Sequence, residues 1–181
     1  NAAPRDALIA HTLRELADAV RSMPGVDATA LSVTGPMSGN WVIMQYFAGR
    51  DSLQSAGENS DLWPALFLVS PDWFRATGMR FVRGGPFDVT ASGCIVLNET
   101  MAPMLWPDGS AVGQCVRLER RTSPCRPVTG VVADARRSQI IQDARPQSFA
   151  PLEAKSADGW EPSDLIVRVQ PDRRDVVMSA L

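Results

Sequence analysis

The chain contains no apolar run approaching the ~20 residues needed to span a bilayer, no Cys-x-x-Cys pair, no Gly-x-Ser-x-Gly elbow and only one histidine in 181 residues. No signal peptide opens it either, so the given sequence is expected to be soluble and to carry no membrane segment of its own. With three cysteines lacking a paired spacing and His11 remote from all of them, a tetrahedral zinc site is disfavoured. Without the strained elbow, a serine hydrolase loses its sequence signature. His11 lies one turn before Glu15 and close to Arg14 and Asp18, on the polar side of a helix, where a solvent-facing imidazole explains it better than a general base. Lysine is almost missing: Lys155 is the only one among 18 basic residues, a bias that base composition explains more simply than selection for phosphate-binding guanidinium forks. The net charge of −2 provides no broad basic field, which excludes nucleic acid as an expected partner. Gly84-Gly85, Gly109, Gly113 and Gly130 match neither a phosphate loop nor a dinucleotide fingerprint.

What is present is ordinary for a globular chain, with 45% apolar and 21% charged residues. A chain of this length buries roughly two thirds of its unfolded surface, enough for one domain with a core of its own. From Asp6 to Met23, Ile9, Leu13, Leu16, Val20 and Met23 recur at helical spacing, and Pro24-Gly25 predicts the stop. Val26 to Thr34 alternates as a half-buried strand, with Thr29, Leu31 and Val33 on one side. Trp41 to Ala48 is apolar on both alternating faces, predicting one well-covered strand, and polar Gly49 to Asp61 reads as a mobile loop. Asp164 to Val169 reads as a strand, and Asp172 starts a helix through Val176, Val177 and Leu181. The doublets Arg120-Arg121, Arg136-Arg137 and Arg173-Arg174 read as solvated faces, with a lipid-headgroup or partner-docking role as the alternative.

The densest signals run from Val69 to Arg136. Ser70-Pro71-Asp72 predicts a helix start and Gly78 its end, with Trp73, Phe74 and Met79 as core contacts. Strand-like Cys94-Ile-Val-Leu97 runs into Asn98-Glu99-Thr100, another cap signal, and a short helix ends before the Trp106-Pro107-Asp108-Gly109 turn. Strands around Val116 and from Val128 to Val132 follow, and Asp134 closes the run. Glu99 with Asp134 is a candidate acid and base pair, although an acidic residue at a helix start is explained by the helix dipole alone. Cys115 and Cys125 flank a strand and a polar turn, so they could face each other across a hairpin as a disulfide; two unpaired thiols is the alternative, and Cys94 reads as a small core residue.

This ordered set resembles the periplasmic core domain of MacB-type ABC-transporter permeases, within the MacB/FtsX superfamily. The resemblance rests on Val69, Ser70, Pro71, Asp72, Phe74, Gly78, Arg83, Gly84 and Phe87, then Val96, Asn98, Glu99, Trp106, Pro107, Gly113, Gly130, Val131, Val132 and Asp134, with Phe149, Pro151 and Leu152 further on. Pro103 and Gly85-Pro86 depart from the family pattern. The resemblance implies an α+β fold of two lobes: a ferredoxin-like porter lobe of helix plus strands, near 5–68 and 162–181, and an inserted small antiparallel β-rich, sabre-like lobe near 69–161. One more strand would follow the last helix in that family.

By the same resemblance, the chain is a soluble periplasmic domain excised from a permease at the bacterial inner membrane, flanked by transmembrane helices. It would be non-catalytic and hold no cofactor, ATP being consumed by a separate cytoplasmic ATPase domain or subunit. Its task would be to transmit ATP-driven conformational change to a substrate or periplasmic partner during efflux, with a second permease copy and a periplasmic adaptor as candidate partners. The candidate partner or substrate surface is Tyr46, Arg50, Trp63 and Trp160, each with ordinary packing as the alternative. A competing expectation is a periplasmic module that binds a peptide or lipid in a groove between the lobes, lined by apolar residues of Trp41 to Phe47.

Overall fold

Residues 3–36, 42–48, 51–53, 64–87, 93–136, 144–152 and 160–180 are described in a computed structural model. The N-terminal repeat forms α1 (Ala3–Arg21), and the chain reverses at Gly25, whose φ of 92° and contact with the Arg173 side chain leave no room for a β-carbon. The buried line of α1 is Ala10, Ala17 and Val20; Ile9 and Leu16, expected in the core, are 41% and 39% exposed. Small alanines bring the helix close to the sheet, which leaves the bulkier residues on its flank.

The next elements are β1 (Val26–Ser32), β2 (Val42–Ile43), β3 (Tyr46–Ala48), β4 (Asp51–Leu53) and β5 (Ala65–Val69). The single strand expected from Trp41 to Ala48 is therefore two short ones, Trp41 itself lying outside the described residues. They go to different partners: β2 pairs with β5, and β3 pairs with β4 and β8 (Cys115–Leu118). Part of the expected loop is β4, in hairpin register with β3 from Tyr46↔Leu53 to Ala48↔Asp51. Asp-Ser-Leu carries no strand signal of its own, so only the pairing reveals it.

Then come α2 (Trp73–Thr77), β6 (Phe81–Gly84), β7 (Ile95–Asn98), α3 (Met101–Leu105), β8, β9 (Arg126–Val132), β10 (Gln147–Pro151), β11 (Asp164–Val169), a turn of 3-10 helix at Pro171–Arg173 and α4 (Arg174–Ala180). Gly78 ends α2 in the left-handed region as the sequence predicts. The serine before α2 does something else: its Oγ accepts the Leu31 N–H at 3.0 Å while the Ser70 N–H donates to the Leu31 carbonyl at 2.8 Å. Asp72 holds the N-cap position without a side-chain cap bond. Ser70 is thus spent on joining β1 to the end of β5, where the regular ladder consists of one pair, Ser32↔Val69.

Among the described residues the strands form one mixed, mostly antiparallel sheet in the order β11-β1-β5-β10-β7-β9-β8-β3-β4, with β2 also beside β5 and β6 beside β9. The pairs β5/β10 and β7/β9 are parallel, and β7 returns to β9 through α3 and β8. The fold is α+β. The segments assigned to the two lobes meet where β10 pairs with β5, and β3 adds to β8.

Strands β5, β7 and β10 are buried at every position, as strands covered on both faces must be. Successive residues supply two cores. Leu66, Leu68, Ile95, Leu97 and Ala150 face Tyr46, Met101, Leu105, Val116 and Val128. Phe67, Val69, Val96 and Phe149 face Trp73, Phe74 and Phe87. Strand β1 also departs from the half-buried expectation, since Ala28, Thr29 and Ala30 are all buried between helices on its two faces. Gly130 sits where β6 and β9 cross closely; a β-carbon there would strike the Gly85 carbonyl and the Phe81 ring. In α4, Val177 is buried while Val176 is exposed.

Candidate functional site

The densest polar arrangement joins the ends of three central strands. Asn98 is fully buried at the end of β7, and its Oδ1 accepts the N–H groups of Met101 at 3.0 Å and Gln147 at 2.9 Å. Its Nδ2 donates to Asp134 Oδ1 at 2.5 Å and to the Arg145 carbonyl at 2.7 Å. Asp134 in turn accepts from the Thr100 N–H at 3.0 Å and hydroxyl at 2.7 Å. All four hydrogen-bonding positions of the Asn98 amide are filled, so it holds the first turn of α3 and ties β7 to the start of β10. Of the Asn98-Glu99-Thr100 signal, Thr100 holds the N-cap position without a side-chain cap bond, while Asn98, at the end of β7, accepts the N–H of the first helical residue, Met101. Asp134 is engaged with Asn98 and Thr100, which is a structural use of the carboxylate considered as half of an acid and base pair.

Tyr46 requires a correction. It is fully buried, not part of a surface, because every residue of β3 is covered and its hydroxyl lies 2.7 Å from Ser148 Oγ. Burial pushes the phenol pKa up, well above its ordinary value of about 10, with the Ser148 hydrogen bond acting weakly the other way. A group whose folded pKa is raised contributes stability that is complete below the unfolded pKa and is lost as pH rises beyond it. Tyr46 is the only tyrosine, so phenolate absorbance reports it alone. Alkaline titration is expected to show phenolate appearing above pH ~10 together with loss of the near-ultraviolet circular dichroism. Reversible ionisation near pH 10 with the fold intact would contradict this placement.

Arg50 and Trp63 lie outside the described residues. Trp160 is half-buried, packs on the core and lines a groove of about 720 Å³ with Thr34, Val42, Ile43, Met44, Gln45 and Glu119. Part of the expected apolar groove lining is therefore present, while Tyr46 and Phe47 are buried, Tyr46 in the core and Phe47 beneath Arg121. Arg14 fastens α1 to the segment beside Trp160 through a 2.8 Å ion pair with Glu161. A second cleft, of about 680 Å³, lies between β6 and α3 and exposes Arg83, Glu99, Trp106 and Asp108. A smaller pocket of about 290 Å³ under α2 is lined by Phe67, Trp73, Met79, Phe149, Ile166 and Arg136 among others. Sequence reading missed it, because Trp73 and Phe149 signal core and nothing local marks a hollow between them.

The described residues bring no catalytic group together. His11 Nε2 meets only the exposed Glu15, at 3.4 Å. No three His, Cys, Asp or Glu side chains among them are grouped to hold a metal ion. Cys115 and Cys125 are joined in a disulfide, while Cys94 is buried in β7's approach. Arg121 is not simply a solvated charge: its guanidinium stands 5.0 Å over the Phe47 ring. Likewise Arg168 donates to the Ala76 carbonyl at 3.1 Å, at the end of α2.

No protein-family model and no curated protein matches the chain. Solved structures do. The periplasmic region of MacB from Actinobacillus actinomycetemcomitans superimposes with a TM-score of 0.63 at 15% identity, over 91% of this chain and 67% of that one. The extracellular domain of the noncanonic ABC-type transporter YknZ from Gram-positive bacteria gives 0.61 at 14%, over 90% and 76%. A domain of a putative permease protein from Porphyromonas gingivalis gives 0.55 at 15%, over 90% and 73%. The chain has the fold of MacB-type periplasmic domains.

Within this MacB-type fold, the resemblance-carrying residues play mainly architectural parts: Asn98 and Asp134 form the polar tie, Gly130 the close strand crossing and Ser70 the β1–β5 link. The disulfide closes a ten-residue separation at the β8–β9 hairpin. Removing it with Cys115→Ser and Cys125→Ser is expected to cost about 2–3 kcal/mol from loop-closure entropy. Urea unfolding with and without reductant checks this; equal midpoints would show that the bond contributes nothing.

Proposed function

We propose that this chain is an extracytoplasmic domain of an ABC-transporter permease that relays motion from ATP-driven closure across the membrane to a substrate or periplasmic partner. The similarity in fold to three transporter domains over at least 90% of the chain is the observation that supports it. The construction suits a relay. Central strands buried on both faces, a saturated polar tie and a disulfide make a body that passes displacement with little internal deformation.

On this reading the parent sits in the bacterial inner membrane with the domain on the periplasmic side. ATP is hydrolysed by a separate cytoplasmic domain or subunit. The partners are that ATPase, the flanking helices, a second permease copy and a periplasmic adaptor, and the domain itself catalyses nothing. Among the described residues, no helix is long and apolar enough to cross a membrane. The decisive experiment replaces residues 5–180 in the full-length permease with a short linker and measures ATP turnover and export together. Export should be lost; unchanged export at normal ATP turnover would refute the relay.

A second reading, a periplasmic binding module, is favoured by the groove beside Trp160. A peptide or lipid retained through purification and released by Trp160→Ala, seen by native mass spectrometry, is the expected result on that reading.

A further inference from the structure

The pocket under α2 is walled mainly by aromatic and aliphatic side chains, and the charge among its described lining residues is positive, where the groove beside Trp160 carries a negative one. Phe67 and Phe149 stack with centroids 5.5 Å apart, and both are nine-tenths buried or more. Trp73 on α2 and Met79 close one side, Ile166 of β11 the other. At about 290 Å³, the pocket sits at the lower end of the ~300–1,000 Å³ typical of small-molecule sites. Arg136 is exposed, lines the pocket and makes no ion pair among the described residues. Trp73 is 3% exposed, and its indole N–H has no acceptor among the described residues. An apolar wall beside a guanidinium that makes no ion pair among the described residues is complementary to an apolar body carrying negative charge.

We propose that this pocket binds a small amphiphilic anion, whose simplest form is a medium-chain carboxylate, with its chain against Phe67, Trp73 and Phe149 and its head on Arg136. Its volume excludes a bulky ligand, and Arg136, the charge among the described lining residues, favours an anionic head over a cationic or neutral one. The inference does not depend on transport, since binding is a property of the chain alone.

Calorimetric titration of the chain with decanoate tests it, with decanol and decyltrimethylammonium as neutral and cationic arms and vesicles of anionic phospholipid as the membrane arm. Decanoate should bind saturably at one site with a dissociation constant of roughly 0.1 mM, and at least about tenfold more tightly than decanol or the cation. Arg136→Gln should weaken decanoate about tenfold and flatten its salt dependence. Ala135→Trp, at the mouth, should abolish binding. Should Ala135→Trp fail to fold, the exposed Arg136→Gln decides alone. Absence of saturable decanoate binding, equal affinity for all three soluble probes, unchanged affinity in Arg136→Gln, or binding to vesicles without binding to soluble decanoate would each overturn the assignment.

Discussion

Asn98→Ala is expected to destabilise the folded chain by about 3–4 kcal/mol, far more than its modest change in volume implies. The substitution removes four hydrogen bonds at a residue with no solvent exposure. The backbone N–H groups of Met101 and Gln147 lose the oxygen that both share, and leaving buried donors unsatisfied costs about 1–3 kcal/mol each before any relaxation. Asp134 keeps its two bonds to Thr100, so Asp134→Ala should cost less, about 1–2 kcal/mol. Because the two side chains share a bond, the double variant should be less destabilised than the two singles added together, by about 1 kcal/mol. Urea unfolding of all four proteins measures the coupling. A loss below about 1 kcal/mol for Asn98→Ala would mean that water replaces the amide and that the tie is dispensable.

Phe149→Ala should be of similar size, about 3–5 kcal/mol, by a different mechanism. Phe149 lies on a central strand, 2% exposed, and its ring stacks on Phe67 and meets the edge of Phe74 at 5.5 Å in each case. Truncation leaves a cavity between the sheet and α2, beneath a strand held by β5 on one side and β7 on the other, so the backbone cannot close over it. Thermal unfolding should show a midpoint lower by about 10 °C for a chain of this length. Phe149→Leu, which keeps most of the volume, should recover more than half of the loss. A drop of less than about 3 °C in the alanine variant would indicate that the α2 face repacks freely.

Much of the element sequence was legible beforehand, and for identifiable reasons. The α1 periodicity, the Gly78 stop and the Asn98 bond to the first turn of α3 are signalled by side chains acting within a turn of their own position. Less was legible where a residue serves two neighbours. Ser70 reads as a helix cap, but the Leu31 amide, 39 positions away, takes its hydroxyl. Tyr46 reads as an aromatic near a loop, because the residue that accepts or donates its hydroxyl bond is 102 positions distant. The candidate surface is correspondingly hard to read: Trp160 does line a groove, Tyr46 does not, and Arg136 is exposed as the sequence predicts while also lining a pocket that nothing local signals.

The sequence by itself determined the local grammar of this protein: where helices start and stop, which strands are apolar throughout, and that no broad basic field exists for a polyanion. Backbone sterics, capping bonds and side-chain periodicity act over three or four residues, so they are written in neighbouring letters. Tertiary structure alone decided that both sheet faces are covered, that Asn98 and Asp134 meet across 36 positions and that a hollow remains beneath α2. Those outcomes depend on which distant segments close on one another, and chain closure costs entropy that only the assembled core repays.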